Sequence, residues 1–267
     1  SAPAEGDISR RFRAVRALSR AIAAPLSDAD ATLQPHPDAS PAKWHLAHTT
    51  WFFETFILRD HVAGYRLHDE RWPFLFNSYY EGEGERHARP RRGMISRPSL
   101  DEVLAYRDHV DRAVVQALPD LGVDAPRLVE VGLNHDQQHQ ELMLTDILAS
   151  FAENPLMPAV WDHRPVAPAA LPGPIRWVEG ASGVARIGHD GGAFAFDCET
   201  PRHEVLLHPH ALADRLVTNG EWLRFIEEDG YSTAAHWLSA GWAWVAENRI
   251  ETPLYWSRSD EGWMRFG

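Results

Sequence analysis

The sequence predicts an α+β chain in which a four-helix bundle is followed by a smaller, β-rich domain. Three observations carry this reading. Four amphipathic segments, with apolar residues recurring at intervals of three and four, span residues 7–151. Pro155, Pro158, Pro165, Pro168, Pro172 and Pro174 then crowd a stretch that can hold no regular element and reads as a linker. Beyond it, short apolar runs alternate with glycine-rich turns, as strands do. The expected divisions are residues 1–154 for the bundle, 155–174 for the linker and 175–267 for the β-rich domain.

The first helix is expected over residues 7–24, where Ile8, Phe12, Val15, Leu18 and Ile22 define an apolar side between arginines. Ser40-Pro41 offers an N-cap followed by proline at N1, so a second helix should begin there and carry Trp44, His48, Trp51, Thr55 and Leu58 on one face. His45 falls on a different face. Residues 64–98 show no sustained period, yet hold the aromatic run Phe74 to Tyr80 and five arginines, 86, 89, 91, 92 and 97. A loop of this length in a compact domain is usually functional or disordered, and its aromatics favour order. Ser99 with Glu102 forms a capping box ahead of Leu100, Val103, Arg107, Val110, Val114 and Leu118, the third helix. The fourth runs from about Asp124 to Phe151.

That fourth helix contains Asn134-His135-Asp136-Gln137-Gln138-His139-Gln140-Glu141. Two histidines four apart leave the helix on one side. Leu128, Val131, Leu142 and Ala149 place that side on an apolar stripe, where an imidazole costs desolvation unless its nitrogens find partners. A metal ion satisfies several such rings together; a hydrogen-bonded core histidine is the plainer alternative. If the second and fourth helices are neighbours, His48, His135 and His139 make a ligand set. After the linker, Ile175 to Val178 and His203 to Leu207 read as strands, and Asn219 to Asp229, capped by Thr218, as a helix. The segments near Gly267 read as part of an unfinished β-rich domain, so the sequence is expected to be incomplete at its C-terminal side.

Composition limits the possible partners. At 267 residues and 44% hydrophobic the chain can bury large cores, and 26 basic against 38 acidic residues, net −12, argue against a nucleic-acid or anionic-membrane partner. The single cysteine, Cys198, permits no intrachain disulfide and fits a reducing compartment. No apolar run reaches the roughly 18 residues of a membrane span, and no signal-peptide core opens the sequence, so a soluble cytoplasmic protein is expected. Nothing in the sequence fixes an oligomeric state.

Three stretches together resemble the non-haem iron sulfoxide synthases of ergothioneine biosynthesis: Asp38 to Glu54 (DASPAKWHLAHTTWFFE), His135 to Leu142 (HDQQHQEL) and Leu216 to Trp222 (LVTNGEW). The resemblance implies a DinB-like bundle joined to a C-type-lectin-like domain of the formylglycine-generating-enzyme type, with ferrous iron, Fe(2+), as cofactor. Carried over by position, the iron ligands fall on His48, His135 and His139. Gln138 would help to place the histidine-derived substrate, and Arg86 and Arg89 would hold the carboxylates of the thiol substrate. A tyrosine that such enzymes use in the later part of the second domain has no counterpart before Gly267.

The implied reaction joins the thiol sulfur of γ-glutamylcysteine or cysteine to imidazole C2 of hercynine, with O₂ oxidising the sulfur to a sulfoxide. Three neutral imidazoles on Fe(II) leave open positions for such chemistry. Three further readings compete: the same synthesis with a selenium donor, a DinB-like thiol transferase or hydrolase holding zinc or nickel, and a metal-binding scaffold without catalysis.

Overall fold

In the computed structural model, which describes residues 5–122, 125–161, 173–260 and 262–267, the chain forms two compact units, residues 1–163 and 164–267. The first is built on four long helices: α1 (Glu5–Ala23), α2 (Ala42–Phe53), α4 (Leu100–Ala117) and α5 (Ala125–Ala152). Helix α2 lies centrally, packed against α4 and α5, while α1 packs on α5. It continues into a π-helical turn, Glu54–Arg59, a rare element that often marks functional regions. At Gly132 the α5 backbone comes so close to α2 that a Cβ there would sit 2.6 Å from the Phe53 ring and 2.8 Å from that of Phe52.

The centre of the bundle is polar. Asp136 is 1% exposed and accepts hydrogen bonds from Arg16 and Arg107, each at 3.0 Å, and from the Ser19 hydroxyl at 2.7 Å. Gln140 donates to the Ser19 hydroxyl and to the Val15 carbonyl. Burial alone would push the Asp136 carboxyl up, but Arg107 and Arg16 outweigh it and hold the group below its usual range.

This seam corrects the expected helix faces. The inward positions of α5 are Val129, Leu133, Asp136, Gln140, Met143 and Ile147, whereas Leu142, placed on the apolar stripe from sequence, is 45% exposed. Likewise Arg16 and Ser19 point inward on α1 while Leu18 is 53% exposed. Periodicity counts only apolar residues, so polar groups that satisfy one another in a core rotate the inferred face.

The capping box at Ser99 and Glu102 forms as expected. Ser40 does not cap α2: that position falls to Pro41, and the Ser40 hydroxyl instead accepts a hydrogen bond from Arg92. Residues 64–98, without period in the sequence, fold into a short helix α3 (Trp72–Phe76) and 3₁₀ turns at Glu81–Glu83 and Arg89–Met94. The core fixes them: Phe76 is buried, and Trp72, Leu75 and Tyr80 pack against it.

The second unit carries three two-stranded antiparallel ladders. Strand β1 (Trp177–Glu179) pairs with β4 (Ala211–Ala213), β2 (Gly183–Ile187) with β3 (His203–Leu207), and β5 (Trp256–Ser259) with β6 (Gly262–Arg265). Helices α6 (Asn219–Glu227) and α7 (Ser239–Asn248) lie between β4 and β5 in the chain, and Thr218 caps α6 with Glu221 in a capping box. Among the described residues of this unit Val245 is the one buried apolar side chain, while Leu216, Leu238 and Leu254 are each more than three-quarters exposed. Much of the proline-rich stretch lies outside the described residues. No described helix is long and apolar enough to cross a membrane.

Candidate metal centre

Helices α2 and α5 are neighbours, and their packing brings His48, His135 and His139 together. One ring nitrogen from each lies within 4.8 Å of the others. His48 Nε2 and His135 Nε2 are 3.2 Å apart, close to the spacing of about 3 Å that two nitrogens adopt on one ion lying about 2.1 Å from each.

The orientation of His48 is set on two sides. Its ring is stacked on Trp44, 4.6 Å between centroids with planes 11° apart, and its Nδ1 is 2.6 Å from the Phe76 carbonyl oxygen. A carbonyl only accepts, so Nδ1 carries the proton and Nε2 keeps a lone pair directed at His135 and His139. Burial holds all three rings neutral: it lowers His48 and His139 well below the ordinary histidine value and brings His135 down to about 4. Neutral imidazole is the ligating form. His135 Nδ1 is buried with no hydrogen-bond partner. Three neutral rings with nitrogens converging in a buried pocket fit a metal ion, and among the described residues no other group of histidine, cysteine or carboxylate ligands converges in this way.

The cluster opens on a cavity of about 600 Å³ lined also by Trp44, Ser78, Tyr79, Tyr80, Arg89, Arg92, Gln138, Glu141 and Thr145. Of the residues singled out from sequence, Gln138 and Arg89 border this cavity. Arg86 does not line it and instead pairs with Glu81 at 2.7 Å on the surface. Arg89 donates to the Tyr79 hydroxyl and to the Asp38 carbonyl. Arg92 is 3% exposed, bonds the hydroxyls of Ser40 at 2.9 Å and Ser78 at 3.1 Å, and feels a burial that works against its charge. The Nε atoms of both arginines are buried without partners.

His45, assigned from sequence to a different face, is a member of the cluster: its Nδ1 lies 2.8 Å from His139 Nδ1. The signal was available in the spacing, because residues three apart on a helix are neighbours as surely as residues four apart. Arg92 was indistinguishable within a run of five arginines, since only the tertiary fold sets which of them is buried.

The bundle, with a histidine cluster compatible with metal binding, is DinB-like, and comparison agrees: residues 11–143 match the DinB superfamily. Over 90% of its length the chain is also similar to hercynine oxygenases, being 31% identical over 250 residues to the one from Mycolicibacterium thermoresistibile. Identity is 28% over 243 residues to that of Mycobacterium tuberculosis and 26% over 243 to that of Mycolicibacterium smegmatis. The chain spans about half the length of these relatives: 52%, 55% and 54%.

Proposed function

We propose that this chain carries the metal-binding part of an O₂-dependent hercynine sulfoxide synthase, with Fe(II) held by His48, His135 and His139. The observation that supports it best is the convergence of three neutral imidazoles, from two helices, at the wall of a cavity that also presents arginines, tyrosines and a glutamine. Similarity to hercynine oxygenases supplies the substrate class.

A bound ferrous ion supplies the redox chemistry that O₂-dependent C–S bond formation requires. The overall reaction balances as follows: imidazole C2–H and the thiol S–H lose their hydrogens, carbon bonds to sulfur, one oxygen atom ends on sulfur, and the other leaves as water. The protein's part is orientation and charge. Gln138 hydrogen-bonds the hercynine imidazole, and the aromatic rings of Tyr79 and Tyr80 suit its trimethylammonium group through cation–π attraction. Arg89 takes the thiol substrate's carboxylates, with Arg86 joining it once released from Glu81, because a guanidinium fork matches a carboxylate pair by pair. Burial of the rings keeps the ligands unprotonated at neutral pH and limits water at the reacting atoms. In this reading the second unit belongs to a formylglycine-generating-enzyme-like domain.

The test is to load the protein with Fe(II) without oxygen, add hercynine and γ-glutamylcysteine, admit O₂, and follow oxygen uptake and product mass. The expected product has the combined mass of both substrates plus one oxygen less two hydrogens. Stoichiometric zinc binding with no oxygen uptake in the presence of both substrates would move the assignment to a DinB-like thiol transferase.

A further inference from the structure

The structure points to a second role in the metal centre for two residues that are not ligands: we propose that Asp146 and His45 form a relay that fixes the tautomer of His139 and strengthens it as a ligand. The proposal rests on the metal-centre reading above and concerns the same site.

The relay is continuous. Asp146 Oδ2 lies 3.0 Å from His45 Nε2, and His45 Nδ1 lies 2.8 Å from His139 Nδ1. Oδ2 also accepts the Ser40 backbone N–H at 2.8 Å, which ties the carboxylate to the start of α2. His45 is 3% exposed, so water does not compete for these bonds. Asp146 stands seven residues after His139, two turns along α5, and His45 three residues before His48 on α2. The chain of contacts therefore braces the two helices that carry all three ligands.

Proton accounting leaves one arrangement. An ionised carboxylate only accepts, so the proton of a neutral His45 sits on Nε2. Its Nδ1 then has a lone pair, and the 2.8 Å contact requires His139 to supply the proton from Nδ1. That leaves His139 Nε2 unprotonated, as a ligand must be. The opposite tautomer of His45 would place two acceptors together at Asp146 and put the His139 proton on the ligating nitrogen.

The three ligands thus differ behind the ion. His48 leans on a backbone carbonyl, His135 Nδ1 has no partner, and His139 leans on an imidazole that is itself held by a carboxylate. Outer partners of this kind raise ligand basicity and are worth about ten- to a hundredfold in metal affinity. His139 should accordingly be the most strongly donating of the three, and His45 a positioning residue that acts through it.

Two measurements test the relay. In metal-free protein labelled with ¹⁵N-histidine, ring-nitrogen shifts should report His45 as the Nε2–H tautomer and His139 as Nδ1–H; the reverse tautomer at His45 overturns the proposal. Titration with Co(II) against a competing chelator should show His45→Phe weakening binding by about ten- to a hundredfold. Asp146→Asn, which keeps an acceptor but removes the charge, should weaken it less and shift the Co(II) visible spectrum, which a purely structural brace would leave unmoved. Affinities within about twofold of wild type in both variants overturn the relay, and if His45→Phe does not fold, Asp146→Asn with the tautomer measurement decides. A wild-type chain that takes up no Co(II) overturns the metal centre and the relay with it, whereas uptake with no loss in the variants overturns the relay alone.

Discussion

The guanidinium of Arg92 lies 3.4 Å from the ring centroid of Trp44, whose indole is also stacked on His48. One tryptophan thus connects a buried cation on the cavity wall to a candidate ligand. Desolvated cation–π pairs contribute about 2 kcal/mol.

Replacing Arg92 by Lys keeps the charge but loses both the planar stack and the fork that reaches Ser40 and Ser78. Unfolding in urea should show a loss of about 1–3 kcal/mol. A change below about 0.5 kcal/mol would mean that the stack is incidental.

Gly132 sits one turn before His135, where α5 meets the rings of Phe52 and Phe53. Gly132→Ala should force the helices apart, costing about 1–3 kcal/mol by overpacking despite alanine's better helix propensity. Metal affinity should fall alongside stability, because the same separation moves His135 away from His48. A Gly132→Ala variant as stable as wild type, with unchanged metal binding, would refute the close-packing argument.

Asp136 is held below the ordinary carboxylate range in the folded chain. The sign follows: its contribution is fully present above the unfolded value of about 4 and is lost as pH falls through the folded value. Asp136→Asn should cost about 3–5 kcal/mol at neutral pH by leaving Arg16 and Arg107 short of a buried counter-charge. The gap between wild type and variant should narrow below about pH 4. The buried histidines also destabilise the metal-free protein as pH falls from about 6.5 toward the value of about 4 at His135, and because the Asp136 charge partly offsets burial there, Asp136→Asn should lose slightly more in that window before the gap narrows. Denaturation curves with a constant gap down to the acid limit would contradict this.

Arg89 borders the cavity and Arg86 is engaged with Glu81 outside it. Arg89→Ala should raise the thiol substrate's KM by about ten- to a hundredfold, the loss of one or more charge-assisted bonds of about 1.5–3 kcal/mol. Arg86→Ala should act in the same direction but less, and neither should alter affinity for hercynine. Gln138→Leu should do the reverse, weakening hercynine while keeping the metal. Steady-state kinetics varying each substrate separately distinguish these outcomes; a donor KM unmoved by Arg89→Ala would place carboxylate recognition elsewhere.

Much of this was legible in the sequence. The four long helices follow from apolar spacing and from caps such as Ser99 with Glu102, and His203 to Leu207 and Thr218 were readable for the same local reasons. The polar seam of Arg16, Arg107, Asp136 and Gln140 was hidden, because a periodicity argument has no way to see that polar groups from three helices satisfy one another. His45 was set aside for a related reason: a face assigned by counting aromatics omits the neighbour three residues away. The turns between residues 64 and 98, like β2 and α7, are imposed by packing and pairing over long separations, which no local pattern reports.

The central claim is that His48, His135 and His139 hold one metal ion between them, and metal content tests it most directly. Protein purified without oxygen and reconstituted with Fe(II) should retain one iron per chain, while His48→Ala, His135→Ala and His139→Ala, each folded by circular dichroism, should retain little. Iron content in any of the three that equals wild type would contradict the assignment of that histidine, and unchanged content in all three would contradict the site.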